Sequence, residues 1–364
     1  MPSSPPPPPA NGTLFALNAT LPAAWRYLAF ALPTTRPPRA VMLVAHGCRN
    51  SGRNWFHSAP EFGHPMRSSL PEESCVSARA LAAGYAVVAP SSSADCWSGA
   101  DLPLVADLLD AWKASQSLPA QLPLLVYGTS SGGYFAGLAA RTWPSVVAVS
   151  STVFVPPMQD VKPPLPRGGG YPPLQLIYMR RDTGKAKEAE ALLHGSWEQR
   201  AEVEGLICAP RLVTPSYFTE RAGLTPDHSR AVQASLVAAG FVKSDGNVAS
   251  HPHRGDWRAA VLGGLPRKER DSLPSRSLQA AMDAVFQELD VAWGFHAATC
   301  EHIEATIAFF ERHLPAAAAA TAPAPAAKRP GQSQHAHAST HAQHEPRAPH
   351  SHPPHGTKKA SGQT

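Results

Sequence analysis

A chain of 364 residues with 43% apolar side chains can bury a large core, and an α/β fold of this length can form one domain. The formal net charge of +5 is small, and part of it, Lys358 and Lys359 included, falls in a low-complexity tail, so composition offers no basic face built for nucleic acid. Stable membrane insertion is not expected either: the stretch from Thr13 to Leu32 is moderately apolar, but Asn18, Thr20, Pro22, Arg26 and Pro33 interrupt or bound it.

In chain order, residues 1–11 form a Pro-rich leader, read as extended or disordered. "WRYLAFALP" and "RAVMLVAHG" then read as strands, the second wholly apolar and therefore central. Helical "SCVSARALAAG", strand "YAVVAP", helical "LPLVADLLDAWKAS", strand "LPLLVYG", helical "GGYFAGLAART" and strand "SVVAVSSTVFV" continue the alternation. A Pro/Gly-rich connector, "PPMQDVKPPLPRGGGYPP", leads to strand "LQLIYMR", helical "KAKEAEALLHGSWEQRAE" and a last strand in "GLICAPRLV". Strand–helix alternation of this kind predicts a mostly parallel, doubly wound sheet with helices on both faces. Residues 215–289 break the pattern with helical "TPDHSRAVQASLVAAGF", a hairpin turning at Asp245–Gly246 and helical "SLQAAMDAVFQEL", read as a lid-like insertion before a closing helix in "CEHIEATIAFFERHL". The domain is expected over 12–314. Residues 315–364, rich in Ala, Pro and His, cannot bury enough surface to order themselves and are read as disordered.

The five cysteines, Cys48, Cys75, Cys96, Cys208 and Cys300, are odd in number, scattered and without Cys-x-x-Cys spacing. That suggests neither a disulfide framework nor a zinc site and favours a reducing compartment. With no basic n-region or apolar h-region in "MPSSPPPPPA", the expected location is the cytoplasm. The histidines from His335 to His355 lack the spacing of a fixed metal site.

The chemistry is signalled at Gly128-Thr129-Ser130-Ser131-Gly132, a G-x-S-x-G between a buried strand and a helix. A serine on so sharp a turn stands above the sheet edge, and flanking glycines let neighbouring backbone pass close. Ser130 is the candidate nucleophile, where the helix N-terminus favours developing negative charge. The N–H of Ser131 is one candidate oxyanion donor. The second is Cys48, after the strand end His46-Gly47; His46 itself reads as structural. On such a sheet the acid and then the histidine follow the serine in the chain. Asp182 in "LQLIYMRRDTG" is the candidate acid, with a helix cap as its other reading and Asp160 as the fallback. His296, before the closing helix, is the candidate base, with Thr299 as that helix's N-cap. No metal or organic cofactor is required, since a serine, an imidazole and a carboxylate complete an acyl-transfer set.

The stretches "HGCRNSGRNWF", "LPEE" at Leu70–Glu73, "DCWSG", "GTSSGGYF", "YMRRD" and "GFHAAT" together resemble the α/β-hydrolase superfamily, over about Trp25 to Leu314. Within it they are most similar to uncharacterised plant and algal α/β-hydrolase proteins of the feruloyl-esterase and polyhydroxyalkanoate-depolymerase-like branch. The resemblance implies an α/β-hydrolase fold, the same three roles for Ser130, Asp182 and His296, and an oxyanion loop at "HGC". Relatives more often carry His-Glu-Met-Thr where this chain has His296-Ala297-Ala298-Thr299, a departure in the contacts beside the histidine. The expected function is a serine carboxylic-ester hydrolase acting on a small-molecule ester. A ligand-binding or scaffold protein on the same fold, and an acyltransferase or peptidase using the same triad, are the other readings.

Overall fold

The computed structural model describes residues 13–16, 27–56, 69–156, 171–195, 202–265, 267 and 275–316, all within one compact unit, Met1–Ala322. The Pro-rich leader, most of the connector with Asp160, and the tail from 317 onward lie outside the described residues.

Among the described residues eight strands form one sheet: β1 (Thr13–Ala16), β2 (Tyr27–Ala31), β3 (Ala40–Ala45), β4 (Tyr85–Pro90), β5 (Leu124–Thr129), β6 (Val146–Thr152), β7 (Leu174–Met179) and β8 (Val203–Cys208). Their order is β1-β2-β4-β3-β5-β6-β7-β8. β1 and β2 are antiparallel to their neighbours, and β4 through β8 run parallel with β3. This is the α/β-hydrolase fold. Strand β1 lies in the stretch whose broken apolarity gave no strand signal; pairing with β2 supplies what its four residues lack.

The residue pattern of the central strands explains the two-sided core. All six residues of β3 are buried, and successive side chains point to opposite faces. Ala40, Met42 and Val44 join one apolar cluster with Trp55, Phe56, Phe309 and Phe310; Val41, Leu43 and Ala45 join the other with Trp112 and Phe135. Helices α1 (Pro71–Ala82) and the closing α9 (Ile303–His313) contribute to the first cluster. Helices α2 (Asp101–Ser115), α3 (Ser131–Thr142) and α4 (Thr183–His194) contribute to the second. Arg39, just before β3, is clamped to Glu311 of α9, which also accepts from Tyr85 Oη.

Residues 215–289 include α5 (Tyr217–Ala222), α6 (Pro226–Ala238), α7 (Trp257–Gly264) and most of α8 (Ser275–Trp293). They build a third apolar cluster around Phe218, Val232, Leu236, Trp257 and Leu289. The hairpin turn sits where Asp245–Gly246 predicts it: Val242 bridges Val248, and Gly246 takes a φ of +86° that favours glycine.

The cysteines require a correction. Cys48 is bonded to Cys96 and Cys75 to Cys300, and Cys208 alone is a buried free thiol. Partners 48 and 225 residues apart carry no local spacing signal, because the sheet topology brings them together. The expectation of a reducing compartment, and of the cytoplasm with it, loses its premise. Among the described residues no helix is long and apolar enough to cross a membrane.

Candidate active site

Strand β5 ends at Thr129 and helix α3 begins at Ser131, which leaves Ser130 alone to turn the chain. Its backbone takes φ 54° and ψ −118°, a conformation L-residues rarely adopt and that surrounding structure must enforce. The enforcement is visible. The Ser130 N–H donates to Thr152 O at 2.9 Å, and its carbonyl accepts from Gly133 N–H at 2.8 Å. A Cβ on Gly128 would lie 2.1 Å from Gly132 O, and one on Gly132 would lie 2.1 Å from Ala45 O. Both glycines are needed because the first turn of α3 rests on the ends of β5 and β3.

Three side chains distant in sequence meet at this bend. Ser130 Oγ lies 2.8 Å from His296 Nε2, and His296 Nδ1 lies 2.7 Å from Asp182 Oδ2. Asp182 sits just past the end of β7, nearly buried, while the imidazole side chain keeps 33% of its surface exposed. Asp182 also fulfils its other reading: Oδ1 accepts from Lys185 N–H at 3.3 Å as the N-cap of α4, so one carboxylate serves helix and imidazole. A carboxylate on Nδ1 leaves Nε2 as the nitrogen that can accept the serine proton.

The histidine loop, Gly294 to Cys300, is held from several sides. Arg181, next to Asp182, donates its N–H to Gly294 O at 3.0 Å and places its guanidinium 3.9 Å from the Trp293 ring. Tyr127 Oη, on β5, donates to Thr299 O at 3.2 Å. The Cys75–Cys300 bond ties the loop to α1, and the Glu72 carboxylate accepts from the Cys300 N–H. Glu72 is itself paired with Arg221 at 2.6 Å and lies 3.6 Å from Arg211, whose other nitrogen reaches Glu301 at 2.7 Å. Glu73 beside it is fully buried, and burial pushes its carboxyl up to about 7. These supports were missed as such in the sequence. "LPEE" marks them only as a family stretch, because the partners of Glu72 come from 139 or more residues away.

Thr299 is not the N-cap of α9, as the sequence suggested. His302 occupies that place, and Thr299 Oγ1 accepts from Glu301 N–H one turn earlier. His302 accordingly lies at the helix end rather than inside it, its Nε2 3.2 Å from Ile207 O.

The "HGC" loop lies against the serine: a Cβ on Gly47 would be 3.6 Å from Ser130 Cβ. Arg49 N–H is spent on Asp95 O and Asn50 N–H on Gly47 O, flanking Cys48. The disulfide to Cys96 fixes Cys48 between those bonds. Ser131 is the first residue of α3, where a backbone N–H has no acceptor within the helix. His46 is buried with both ring nitrogens occupied, Nδ1 on Gly47 O at 2.7 Å and Nε2 accepting from Ser92 N–H at 3.1 Å. Burial pushes its pKa down to about 4.

No family model matches the chain, and no curated protein matches it. Among solved structures, similar ones include a dienelactone hydrolase from Anabaena variabilis, 18% identical, covering 55% of this chain and 88% of that one, with a TM-score of 0.34. A carboxylesterase from Mesorhizobium loti is 16% identical over 54% and 89%, TM-score 0.36. A Bacillus cereus carboxylesterase is 14% identical over 50% and 83%, TM-score 0.35. At these scores the likeness carries no weight for chemistry, which rests on the geometry above.

Proposed function

We propose that the protein is a serine hydrolase of carboxylic esters, working through an acyl-enzyme on Ser130. The observation that carries this reading is the continuous pair of hydrogen bonds from Ser130 Oγ through His296 to Asp182, open to solvent at the imidazole. A cap serine has no use for an imidazole at 2.8 Å or for a strained φ.

In the first half-reaction His296 Nε2 takes the Ser130 proton as Oγ attacks the ester carbonyl carbon. The carbonyl oxygen becomes an oxyanion facing the N–H groups of Ser131 and Cys48, and the α3 N-terminus adds its positive end. Collapse expels the alkoxide, which leaves with the proton held on Nε2. Water then repeats the sequence on the acyl-serine: His296 accepts its proton, and the serine departs with that proton as the acid is released. Asp182 keeps the imidazole in one tautomer and stabilises its cation. No step calls for a metal or an organic cofactor.

In this reading the 215–289 segment is a lid-like insertion that shapes the substrate pocket. The stretches "HGCRNSGRNWF", "LPEE", "DCWSG", "GTSSGGYF", "YMRRD" and "GFHAAT" are what favour, in this reading, the plant and algal members of the feruloyl-esterase and polyhydroxyalkanoate-depolymerase-like branch. Two disulfides suit an oxidising compartment, so we place the protein there rather than in the cytoplasm.

The test is turnover of p-nitrophenyl and aryl esters of graded acyl length by wild type and by Ser130→Ala. Saturable hydrolysis that the variant loses by roughly four orders of magnitude or more supports the reading. Equal turnover by the two proteins would remove it. Turnover only when an acyl acceptor other than water is supplied would make the protein an acyltransferase.

A further inference from the structure

Outside the triad, two groups of side chains among the described residues have the composition of a metal site, and one of them is free to act as one. His251, His253 and Asp290 each offer a ligand atom, all within 4.8 Å of one another. His251 and His253 flank Pro252 in a tight 3-10 turn, and Asp290 lies on α8. His253 Nε2 is 3.2 Å from Asp290 Oδ2. Zinc held tetrahedrally at its usual bond lengths to nitrogen and oxygen separates neighbouring ligand atoms by about 3.4 Å, close to that spacing.

The carboxylate asks for a cation. Asp290 is 9% exposed, its Oδ1 is buried without a hydrogen-bond partner among the described residues, and its ion-pair contact is an imidazole with a side chain 62% exposed. A buried oxygen left unpaired is costly, and a bound ion relieves it. His251 Nδ1 accepts from His253 N–H at 3.2 Å, a long contact that a turn of the ring trades for coordination. The other cluster of similar make-up, Cys208, Glu301 and His302, is already spent: Glu301 on Arg211, His302 on Ile207 O, and the thiol pushed up to about 12 by burial.

We infer that His251, His253 and Asp290 form a binding site for a divalent transition-metal ion such as zinc, with water completing the coordination on the exposed side. Two imidazoles and a carboxylate suit a borderline ion better than calcium or magnesium, which favour oxygen ligands. The ion ties the 251–254 turn to α8 at Asp290, four positions before Gly294, where the loop that carries His296 begins. The His251 ring stands 4.8 Å from Phe295 and 6.3 Å from Trp293, so bracing reaches the histidine loop through those rings. The role is structural and does not depend on the esterase reading.

The tail histidines also attract zinc, so the experiment compares full-length proteins that all retain them. Wild type, His253→Ala and Asp290→Asn, stripped with chelator, are titrated with zinc chloride by calorimetry and melted with and without it. Wild type should bind one more equivalent than either variant, and zinc at a hundredfold excess over Kd should raise its Tm by roughly 5 °C more than theirs. His253 is exposed, so its removal leaves the fold standing. An anomalous-scattering peak between the three side chains in zinc-soaked crystals is the second expected result. Equal stoichiometry and equal Tm shifts in all three proteins, or a peak located elsewhere, would overturn the site.

Discussion

At the residue scale the account stands on a few atoms whose contributions are separable. Ser130→Ala removes the nucleophile, and Asp182→Asn leaves the imidazole without its orienting carboxylate. Each should lower ester turnover by about 10⁴ or more, and the Asp182 variant should also weaken α4 slightly by altering its cap. His46 makes a different prediction, about stability. Its pKa falls from an ordinary 6.5 to about 4 on folding, so its contribution is present above pH 6.5 and is lost as pH falls toward 4. Between pH 7.5 and 5 that amounts to about 2 kcal/mol. Urea unfolding at the two pH values should show wild type losing that much relative to His46→Asn; parallel losses in both would show that His46 is not held neutral. That Ser130, Asp182 and His296 would meet was legible because strand ends and helix starts on this fold fall in a set order. Glu72, Tyr127 and Arg211, which hold the histidine loop, were not. Their role exists only through partners from distant parts of the chain, and no periodicity or spacing marks such a pairing.

At the element scale, the sheet positions the chemistry and the disulfides hold what the sheet does not. Strands β2 to β8 were each legible as apolar runs bounded by turn residues, and the ends of β5 and β7 carry Ser130 and Asp182 within one or a few residues. Strand β1 was not legible, nor were α5 and α7, which are short and draw their stability from the third apolar cluster. The cysteine pairs were misread for the same reason that Glu72 was overlooked: sequence distance hides contact. Thiol titration of denatured protein should find one free sulfhydryl without reductant, Cys208, and five after reduction. Three or more free thiols without reductant would contradict the pairing. The Cys75–Cys300 link closes a loop of 225 residues, so Cys75→Ser/Cys300→Ser should cost about 2–5 kcal/mol and unfasten the loop bearing His296. Denaturant melts measure the first effect, and loss of turnover at temperatures where the variant remains folded measures the second.

At the scale of the whole molecule, an eight-stranded sheet carries two apolar clusters, and residues 215–289 contribute to a third. The fold class was readable from strand–helix alternation alone, since a wholly apolar β3 requires cover on both faces. What alternation does not reveal is strand order, which places β4 beside β2 and puts β3 and β5 together at the centre. That adjacency brings the "HGC" loop against Ser130. The central claim is that Ser130 Oγ is a nucleophile activated by His296. Its most direct measurement is intact-mass and peptide mass spectrometry after treatment with a fluorophosphonate. The account predicts one adduct per chain, on the peptide containing Ser130, formed rapidly by wild type and not by Ser130→Ala or His296→Ala. No adduct on wild type, or an adduct that forms as fast in the variants, would contradict it.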